Sequence, residues 1–223
     1  MDKKLKSLHE TIFSLIKEEV ETNNVSYNKT EPYQSYERIQ FYGLRWSVEK
    51  RIKEYGLSRF FNPKANVLDI GSNFGFFVSE FALHCNLVHG VEPNPHLIKI
   101  GEATSSYLGT SEKTNFFDTP FNTFSPPNSY DVILSLAAFF TQDGRERSDA
   151  EEYFSKINRL LAPGGSLFYE STSYKKEKSN PGFIAQSNAM YSIKNNFDSF
   201  KTWETTSGSR GYFRRFAVGK KIF

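Results

Sequence analysis

The chain has 223 residues, of which 38% are hydrophobic and 24% charged, a composition that suits a folded domain with additions and excludes a disordered tail. The single cysteine, Cys85, excludes an internal disulfide and multi-cysteine metal sites, and the four histidines lack zinc-ligand spacing, so we predict no protein-held metal. The net charge of +3 neither requires nor excludes nucleic acid.

The N-terminal part is predicted to be helical. Apolar residues at helical spacing indicate an amphipathic helix over residues 3–21, and a second helix is predicted at 47–55. We assign residues 1–60 to an N-terminal helical extension or cap, and residues 61–223 to the main domain. Because one face of the first helix is apolar, it is also a candidate for pairing two subunits in a homodimer.

Neither the N-terminal segment nor the longest apolar run has the hydropathy of a membrane-spanning segment. The first twenty residues are charged throughout and do not resemble a signal peptide. The longest apolar run, at 132–140, is too short to span a bilayer. We therefore expect a cytoplasmic protein without a membrane span.

Strands and helices alternate from residue 66 onward. The predicted strands are 67–70, 87–92, 115–118, 130–135, 166–170, 200–206 and 212–222. The predicted helices are 74–85, 95–108, 149–161 and 185–196. This alternation predicts an α/β fold with a doubly wound, mostly parallel sheet, whose strands read as continuous apolar runs because both faces are covered.

The most informative stretch is VLDIGSNFGFF at 67–77. A strand ends near Asp69, Gly71 permits a tight turn, and Glu92 follows the next strand, where an acid can accept hydrogen bonds from ribose hydroxyls. These features predict a nucleoside ligand. The loop carries Asn73 where the dinucleotide pattern has its second glycine, and a neighbouring acid repels pyrophosphate but attracts a cationic methionine moiety. The electrostatics favour S-adenosylmethionine.

The segment resembles motif I of the class I S-adenosylmethionine-dependent methyltransferases, matched by Asp69, Gly71 and Gly75. The stretches HGVEPNP (89–95), NFFDTPF (115–121), YDVILSL (130–136) and LLAPGGSLFYE (160–170) are similar to the later motifs in order. The cofactor-binding residues that the resemblance implies are Asp69, Gly71, Ser72, Asn73, Gly75, Glu92, Pro93, Phe117, Asp118, Thr119, Ser135 and Leu136.

This resemblance implies a Rossmann-like, seven-stranded sheet in the order 3-2-1-4-5-7-6 with strand 7 antiparallel. It also implies in-line transfer of the methyl group of S-adenosylmethionine, leaving S-adenosylhomocysteine. A narrower likeness starts at FYGLRWSVEKRI (41–52) and points to a subgroup that includes glycan methyltransferases and tRNA wobble-uridine enzymes. In that subgroup Arg45 would approach the methionine carboxylate or the acceptor; Ser72 stands where cysteine is usual.

Each of these residues also has an ordinary structural reading. Asp69 can cap the following helix, Glu92 can be a surface acid, Asp118 a turn residue and Arg45 a solvated charge. The candidates for a general base are residues that follow the fourth and fifth strands: Glu170 and Asp143, with Gln142 and Tyr174. Burial behind an apolar strand suits Glu170 for proton uptake, although it can equally hydrogen-bond a loop.

The sequence favours O-methylation of a small-molecule or glycan acceptor. The stretch SLAAFF after the fourth strand lacks the N-P-P-Y pattern typical of amide-nitrogen methylation. Two alternatives stay open: a tRNA-modifying enzyme, suggested by the basic and aromatic residues at 210–221, and a non-catalytic cofactor-binding module that regulates a partner through the first helix.

Overall fold

The computed structural model describes residues 2–23, 26–126, 128–139, 149–207 and 211–223. The helices are α1 (Lys3–Thr22), α2 (Val48–Tyr55), α3 (Phe76–Ala82), α4 (Pro95–Leu108), α5 (Ala150–Leu160) and α6 (Pro181–Asn196). The strands are β1 (Asn66–Ile70), β2 (Leu87–Val91), β3 (Thr114–Phe117), β4 (Tyr130–Leu136), β5 (Leu161–Glu170), β6 (Tyr174–Lys175), β7 (Ser199–Thr206) and β8 (Tyr212–Lys220).

The strands form one sheet whose order confirms the prediction. The order is β3-β2-β1-β4-β5-β8, with β7 and the short β6 each paired to β8. Pairings β2–β3, β1–β4 and β4–β5 are parallel, whereas β8 runs antiparallel to both β5 and β7. Apart from the two-residue β6, which the sequence did not indicate, this is the predicted 3-2-1-4-5-7-6 arrangement with an antiparallel seventh strand.

Several element boundaries differ from the sequence prediction, among them the start of α6 at Pro181 and the end of β8 at Lys220, and two of the differences have a clear structural reason. The stretch PGG at 163–165 was expected to separate a helix from a strand, but β5 begins at Leu161 and includes it. The register shifts between the pairs Tyr130–Leu161 and Val132–Ser166, so the extra residues form an irregularity that a glycine-rich segment accommodates. The helix predicted at 74–85 is shorter, because α3 starts only after Gly75, which has a positive φ of 66°.

The chain divides into two compact units. The first comprises Met1–Ala65 and Ser72–Thr119, and the second comprises Asn66–Gly71 and Pro120–Phe223. The N-terminal segment shares a unit with α3, α4, β2 and β3. The division at residue 60 and the role of residues 1–60 as a cap stay predictions.

In the first unit, α1 packs along α4. Its cap is Asp2, whose side chain accepts a hydrogen bond from the Leu5 backbone N–H. The predicted apolar face is buried at Leu5, Leu8, Ile12 and Ile16. A homodimer through α1 stays a prediction, but the apolar face that suggested it is already covered within the unit, and the exposed face offers Phe13 instead.

In the second unit, α5 and α6 pack against each other beside the sheet. Helix α5 buries Tyr153, Phe154 and Ile157, and α6 starts with Asn180 as its cap and Pro181 in its first turn. Among the residues that the structure describes, no helix combines the length and apolar character that crossing a membrane requires.

Candidate functional site

Glu92, immediately after β2, fixes two turns in the first unit. One carboxylate oxygen accepts the backbone N–H of Asn73 at 3.0 Å, and the other accepts that of Asn94 at 3.1 Å. The Glu92 backbone N–H donates in turn to the Phe117 carbonyl oxygen at 3.1 Å. The side chain is 8% exposed. The predicted ribose acid is thus an oriented, buried carboxylate, not a solvated surface acid.

The loop after β1 depends on residues that tolerate a left-handed backbone. Gly71, Asn73 and Gly75 have φ angles of 66°, 52° and 66°. A Cβ on Gly75 would lie 2.5 Å from Phe116 Cε1 and 2.8 Å from Gly101 Cα. Gly75 is therefore required where α3 starts against α4, a packing reason that is separate from its predicted role in cofactor binding.

The remaining residues of the predicted motif are largely buried. Asp69 on β1 is 3% exposed and lies in register with Leu134 of β4. Ser72 is 2% exposed, and its backbone N–H donates to the Val91 carbonyl oxygen at 3.1 Å. A Cβ on Gly90 would lie 2.7 Å from Ser72 Oγ, so the serine fits because a glycine faces it. Pro93 is exposed.

The residues predicted to flank adenine follow β3. Phe117 is half-buried, and its ring packs edge-on against His89 with centroids 5.1 Å apart. Burial lowers the pKa of His89, so this histidine is neutral at pH 7. Asp118 is exposed, and the Thr119 backbone N–H donates to the Phe117 carbonyl oxygen at 3.0 Å. The turn therefore presents Asp118 outward, as its predicted role requires.

Arg45 lies in a segment that is attached to the same loop. Phe41 contacts both Phe74 and Phe76, with ring centroids 6.4 Å and 5.8 Å away. The guanidinium of Arg45 donates to the Tyr33 hydroxyl at 3.2 Å. Tyr42, Leu44 and Trp46 around it are 67%, 56% and 55% exposed, which is unusual for such large apolar side chains. The segment thus presents a mainly aromatic surface beside a cation.

In the second unit, the end of β4 is closed by side-chain packing. The hydroxyls of Ser135 and Tyr153 are 2.8 Å apart, and Ser135 is fully buried. Leu136 is half-buried. Ala137 follows with a φ of 64°, a costly conformation for alanine, and its N–H donates to the Glu170 carbonyl oxygen at 2.8 Å. The backbone here is held in place by β5.

Glu170, the predicted base, is fully buried at the end of β5 and forms an ion pair with Arg214 of β8. Arg214 Nη1 lies 2.8 Å from Glu170 Oε1 and also donates to the Ser171 carbonyl oxygen at 3.0 Å. The expectation of burial is confirmed, and the arginine partner is new. The other candidates Asp143 and Gln142 lie outside the described residues. The catalytic roles stay predictions.

Sequence reasoning missed the residues that hold these groups in place. Asn94, Tyr153 and Arg214 each contact a predicted site residue. The Asn-Pro pair at 94–95 was a detectable signal, because asparagine before a helix-starting proline is a typical cap, and Asn94 does accept the His96 N–H at 3.0 Å. Nothing local marks Tyr153 or Arg214, since each partner is distant in sequence.

Comparisons with known proteins agree with this geometry. Residues 68–169 match the family model described as a methyltransferase domain. The chain is 26% identical to the cycloartenol-C-24-methyltransferase of Arabidopsis thaliana over 145 residues, covering 64% of this chain and 42% of that protein. It is 27% identical to an uncharacterized methyltransferase of Bacillus cereus over 109 residues, 49% of this chain and 48% of that protein. The chain thus spans less than half the length of these curated relatives.

Among solved structures, the chain is similar to the N-methyltransferase NodS from Bradyrhizobium japonicum in complex with S-adenosylhomocysteine. The TM-score is 0.61 at 15% identity, with the whole of both chains covered, which establishes a shared fold. The family match and this fold agree with the motif order and with the sheet order. Residues 68–169 therefore resemble a methyltransferase domain, and the chain shares its fold with an N-methyltransferase that binds S-adenosylhomocysteine.

Proposed function

We propose that the protein methylates an oxygen atom of a small-molecule or glycan acceptor. S-adenosylmethionine is the cofactor of this domain type and supplies an electrophilic methyl group. The observation that carries the cofactor half of the proposal is the carboxylate of Glu92, fixed by the N–H groups of Asn73 and Asn94. An ionised carboxylate only accepts hydrogen bonds and ribose hydroxyls donate them, so an oriented acid after this strand suits a ribose.

The charges around the motif also suit this cofactor. Asp69 and Glu92 are both acidic and both less than a tenth exposed. Buried carboxylates favour a ligand that brings positive charge, as the sulfonium and ammonium groups of S-adenosylmethionine do. They disfavour a pyrophosphate, which is the alternative ligand for a loop of this kind.

Three of the basic residues that suggested RNA are engaged within the chain. Arg214 pairs with Glu170, Arg215 with Glu204 at 3.4 Å, and Lys221 Nζ donates to the carbonyl oxygens of Asn158 and Leu161. Cations that are already paired contribute less to phosphate binding. This supports a small molecule or glycan over tRNA.

The choice of oxygen rests on the acceptor surface and the sequence after β4. Exposed Tyr42 and Trp46 flank a segment whose Phe41 packs on the motif loop, and such aromatic faces suit sugar rings. The amide-nitrogen pattern is absent after β4. The relatives described above are named for a carbon and a nitrogen acceptor, so the oxygen assignment is specific to this proposal.

Calorimetric titration with S-adenosylhomocysteine tests the cofactor half. We expect Glu92→Ala to weaken binding about 100-fold, because two hydrogen bonds to a charged acceptor are lost together. Glu102→Ala, which removes an exposed acid from α4, is the matched control and should bind like the wild type. Equal affinity of Glu92→Ala and wild type would exclude Glu92 as the ribose acid.

The acceptor half is tested with radiolabelled methyl groups. Wild-type protein and cofactor are incubated with glycan, small-molecule and bulk tRNA fractions, and the labelled product is treated with mild base to separate esters from ethers. Label in a glycan or small-molecule oxygen supports the proposal. Label found only in tRNA, or only on nitrogen or carbon, overturns it.

A further inference from the structure

The second unit contains a groove that the methyltransferase motifs do not explain. It has a volume of about 560 Å3, within the range of small-ligand sites, and lies among α6, β7 and β8. Strands of the same unit run in the order β1-β4-β5-β8, with β7 beyond β8. Four strand spacings place the groove's β7 edge about 19 Å from β1. It is therefore separate from the motif at the end of β1.

Exposed aromatic side chains line this groove. Tyr191 on α6 is 69% exposed and Phe200 on β7 is 38% exposed. Trp203 is also a groove residue, and its ring stacks on Phe216 with centroids 5.3 Å apart and an interplanar angle of 9°. Aromatic rings left in water offer flat apolar faces on which a ring-shaped ligand can stack.

The charges of the groove are asymmetric. Three cationic side chains, Lys176, Lys194 and Arg215, line it together with one carboxylate, Glu204. Glu204 accepts hydrogen bonds from Tyr174 and ion-pairs with Lys176 and Arg215, which orients both cations. Lysine and arginine carry three and five donors, so a single carboxylate does not exhaust them. The groove therefore favours a ligand with a negative group.

We propose that this groove binds an acidic saccharide, the non-reacting portion of the methyl acceptor. Stacking faces suit the apolar sides of sugar rings, the cations suit a uronate carboxylate, and Thr202 lines the same surface beside them. This inference rests on the proposed function and narrows its substrate class to acidic glycans. Single-stranded RNA is disfavoured, because two of the three cations are partly neutralised by Glu204 and a polyanion requires a longer run of free cations.

Calorimetry with trigalacturonate, on the full chain saturated with S-adenosylhomocysteine, tests the proposal directly. We expect binding to the wild type that weakens about tenfold in Lys194→Ala, where one charge-assisted contact is lost, and also weakens in Tyr191→Ala. Lys178→Ala removes an exposed lysine of the same unit outside the groove and should leave the affinity unchanged. Neutral maltotriose and octauridylate are titrated in parallel.

Each result decides the matter. Tighter binding of trigalacturonate than of maltotriose, lost with Lys194, supports an acidic saccharide site. Equal binding of both saccharides, preferential binding of octauridylate, equal loss in Lys178→Ala, or no binding overturns it. The saturation step separates the two proposals: failure to bind S-adenosylhomocysteine counts against the proposed function alone, whereas failure to bind the saccharide by a loaded protein counts against the groove alone.

Discussion

Two glutamates end buried strands in this chain, and their surroundings differ. Glu92, after β2, is held by backbone N–H groups of two neighbouring turns. Glu170, at the end of β5, is held by the guanidinium of Arg214. In sequence both read as an acid following an apolar run. The carboxylate that accepts backbone N–H groups orients two turns, whereas the carboxylate that pairs with arginine links two neighbouring strands.

The two carboxylates also differ in how far along the chain their hydrogen-bond donors lie. The two N–H groups that donate to the Glu92 carboxylate lie within twenty residues of it along the chain, in the turns that start α3 and α4. The partner of Glu170 is forty-four residues away, on an antiparallel strand that only the completed sheet brings alongside. Stability and binding measurements on variants distinguish an acid that orients turns, such as Glu92, from an acid that links two strands, such as Glu170.

The largest effect is expected for Arg214→Ala. It leaves a fully buried carboxylate without its guanidinium, so the free energy of unfolding should fall by about 3–5 kcal/mol in urea denaturation. The exposed Lys220 on the same strand is the control, and Lys220→Ala should change stability by less than about 0.5 kcal/mol. The double variant Glu170→Leu/Arg214→Leu should recover most of the loss. Unchanged stability of Arg214→Ala would remove the contrast between the two acids.

Gly75→Ala should have the next largest effect, about 3 kcal/mol. The change combines an unfavourable positive φ with a Cβ that meets Phe116 and Gly101. Gly109→Ala is a matched control, because Gly109 has a φ of 71° but nothing within 4 Å of its Cβ, and it should cost only about 1 kcal/mol. Equal losses in thermal or urea unfolding would mean that the loop shifts to accept the methyl group.

Acid should destabilise the first unit in two steps. Burial lowers the pKa of His89 below its usual value of about 6.5, so the unfolded chain takes up a proton first and stability falls as the pH drops below that value. Burial alone would raise the pKa of Glu80, but hydrogen bonds from Arg38 and Tyr36 lower it overall. Its contribution is therefore present above about pH 4.3 and is lost as the pH falls further.

Urea midpoints measured from pH 8 to pH 3 test this order. His89→Leu should flatten the profile between about pH 6.5 and 5, and Glu80→Gln should flatten it below about pH 4.3 while leaving the upper step intact. If neither variant changes the slope, other groups control the acid response. Glu80 pairs with an arginine in the first unit, as Glu170 does in the second. If Glu80→Gln removes the loss of stability below about pH 4.3, arginine pairing, and not the position of the acid in the chain, is what makes a buried glutamate stabilising.

The smallest effect is expected for Ser135→Ala, about 1 kcal/mol, because it removes the buried hydrogen bond between the Ser135 and Tyr153 hydroxyls. Tyr153→Phe and the double variant complete a thermodynamic cycle on the free energy of unfolding, in which the two changes should not be additive. S-adenosylhomocysteine affinity is measured on the same variants. A fall in affinity in Ser135→Ala but not in Tyr153→Phe would support the predicted cofactor role of the Ser135 hydroxyl.

Much of the fold was predictable because its signals are local. Continuous apolar runs predicted the main strands, and apolar residues at helical spacing predicted the helices. The order of the motifs implied the strand order that the sheet has. The exceptions follow from pairing. β6 has two residues and no pattern of its own. β5 extends through PGG: Leu161 pairs with Tyr130 of β4, and Gly164 and Gly165 form backbone hydrogen bonds with Lys221, just beyond β8.

The candidate site was predictable only in part. Asp69, Glu92 and the glycines stand out because residue type, spacing and chain position together limit what they can do. Arg214, Tyr153 and the groove residues do not, since their importance depends on neighbours far along the chain. The groove proposed for an acidic saccharide is an example of such dependence on distant neighbours. Its walls are formed by Lys176, α6, β7 and β8, and no single stretch of sequence contains a motif for it.

The sequence by itself determined the element order, the cofactor motif and the strand-end acids, because short-range sterics, periodicity and charge act within a few residues. Only the tertiary structure decided what each acid does. The backbone groups around Glu92 and the guanidinium beside Glu170 become partners when buried groups must satisfy their hydrogen bonds inside a closed fold. Groups that meet this requirement for one another can be any distance apart in the sequence, so no residue spacing predicts them.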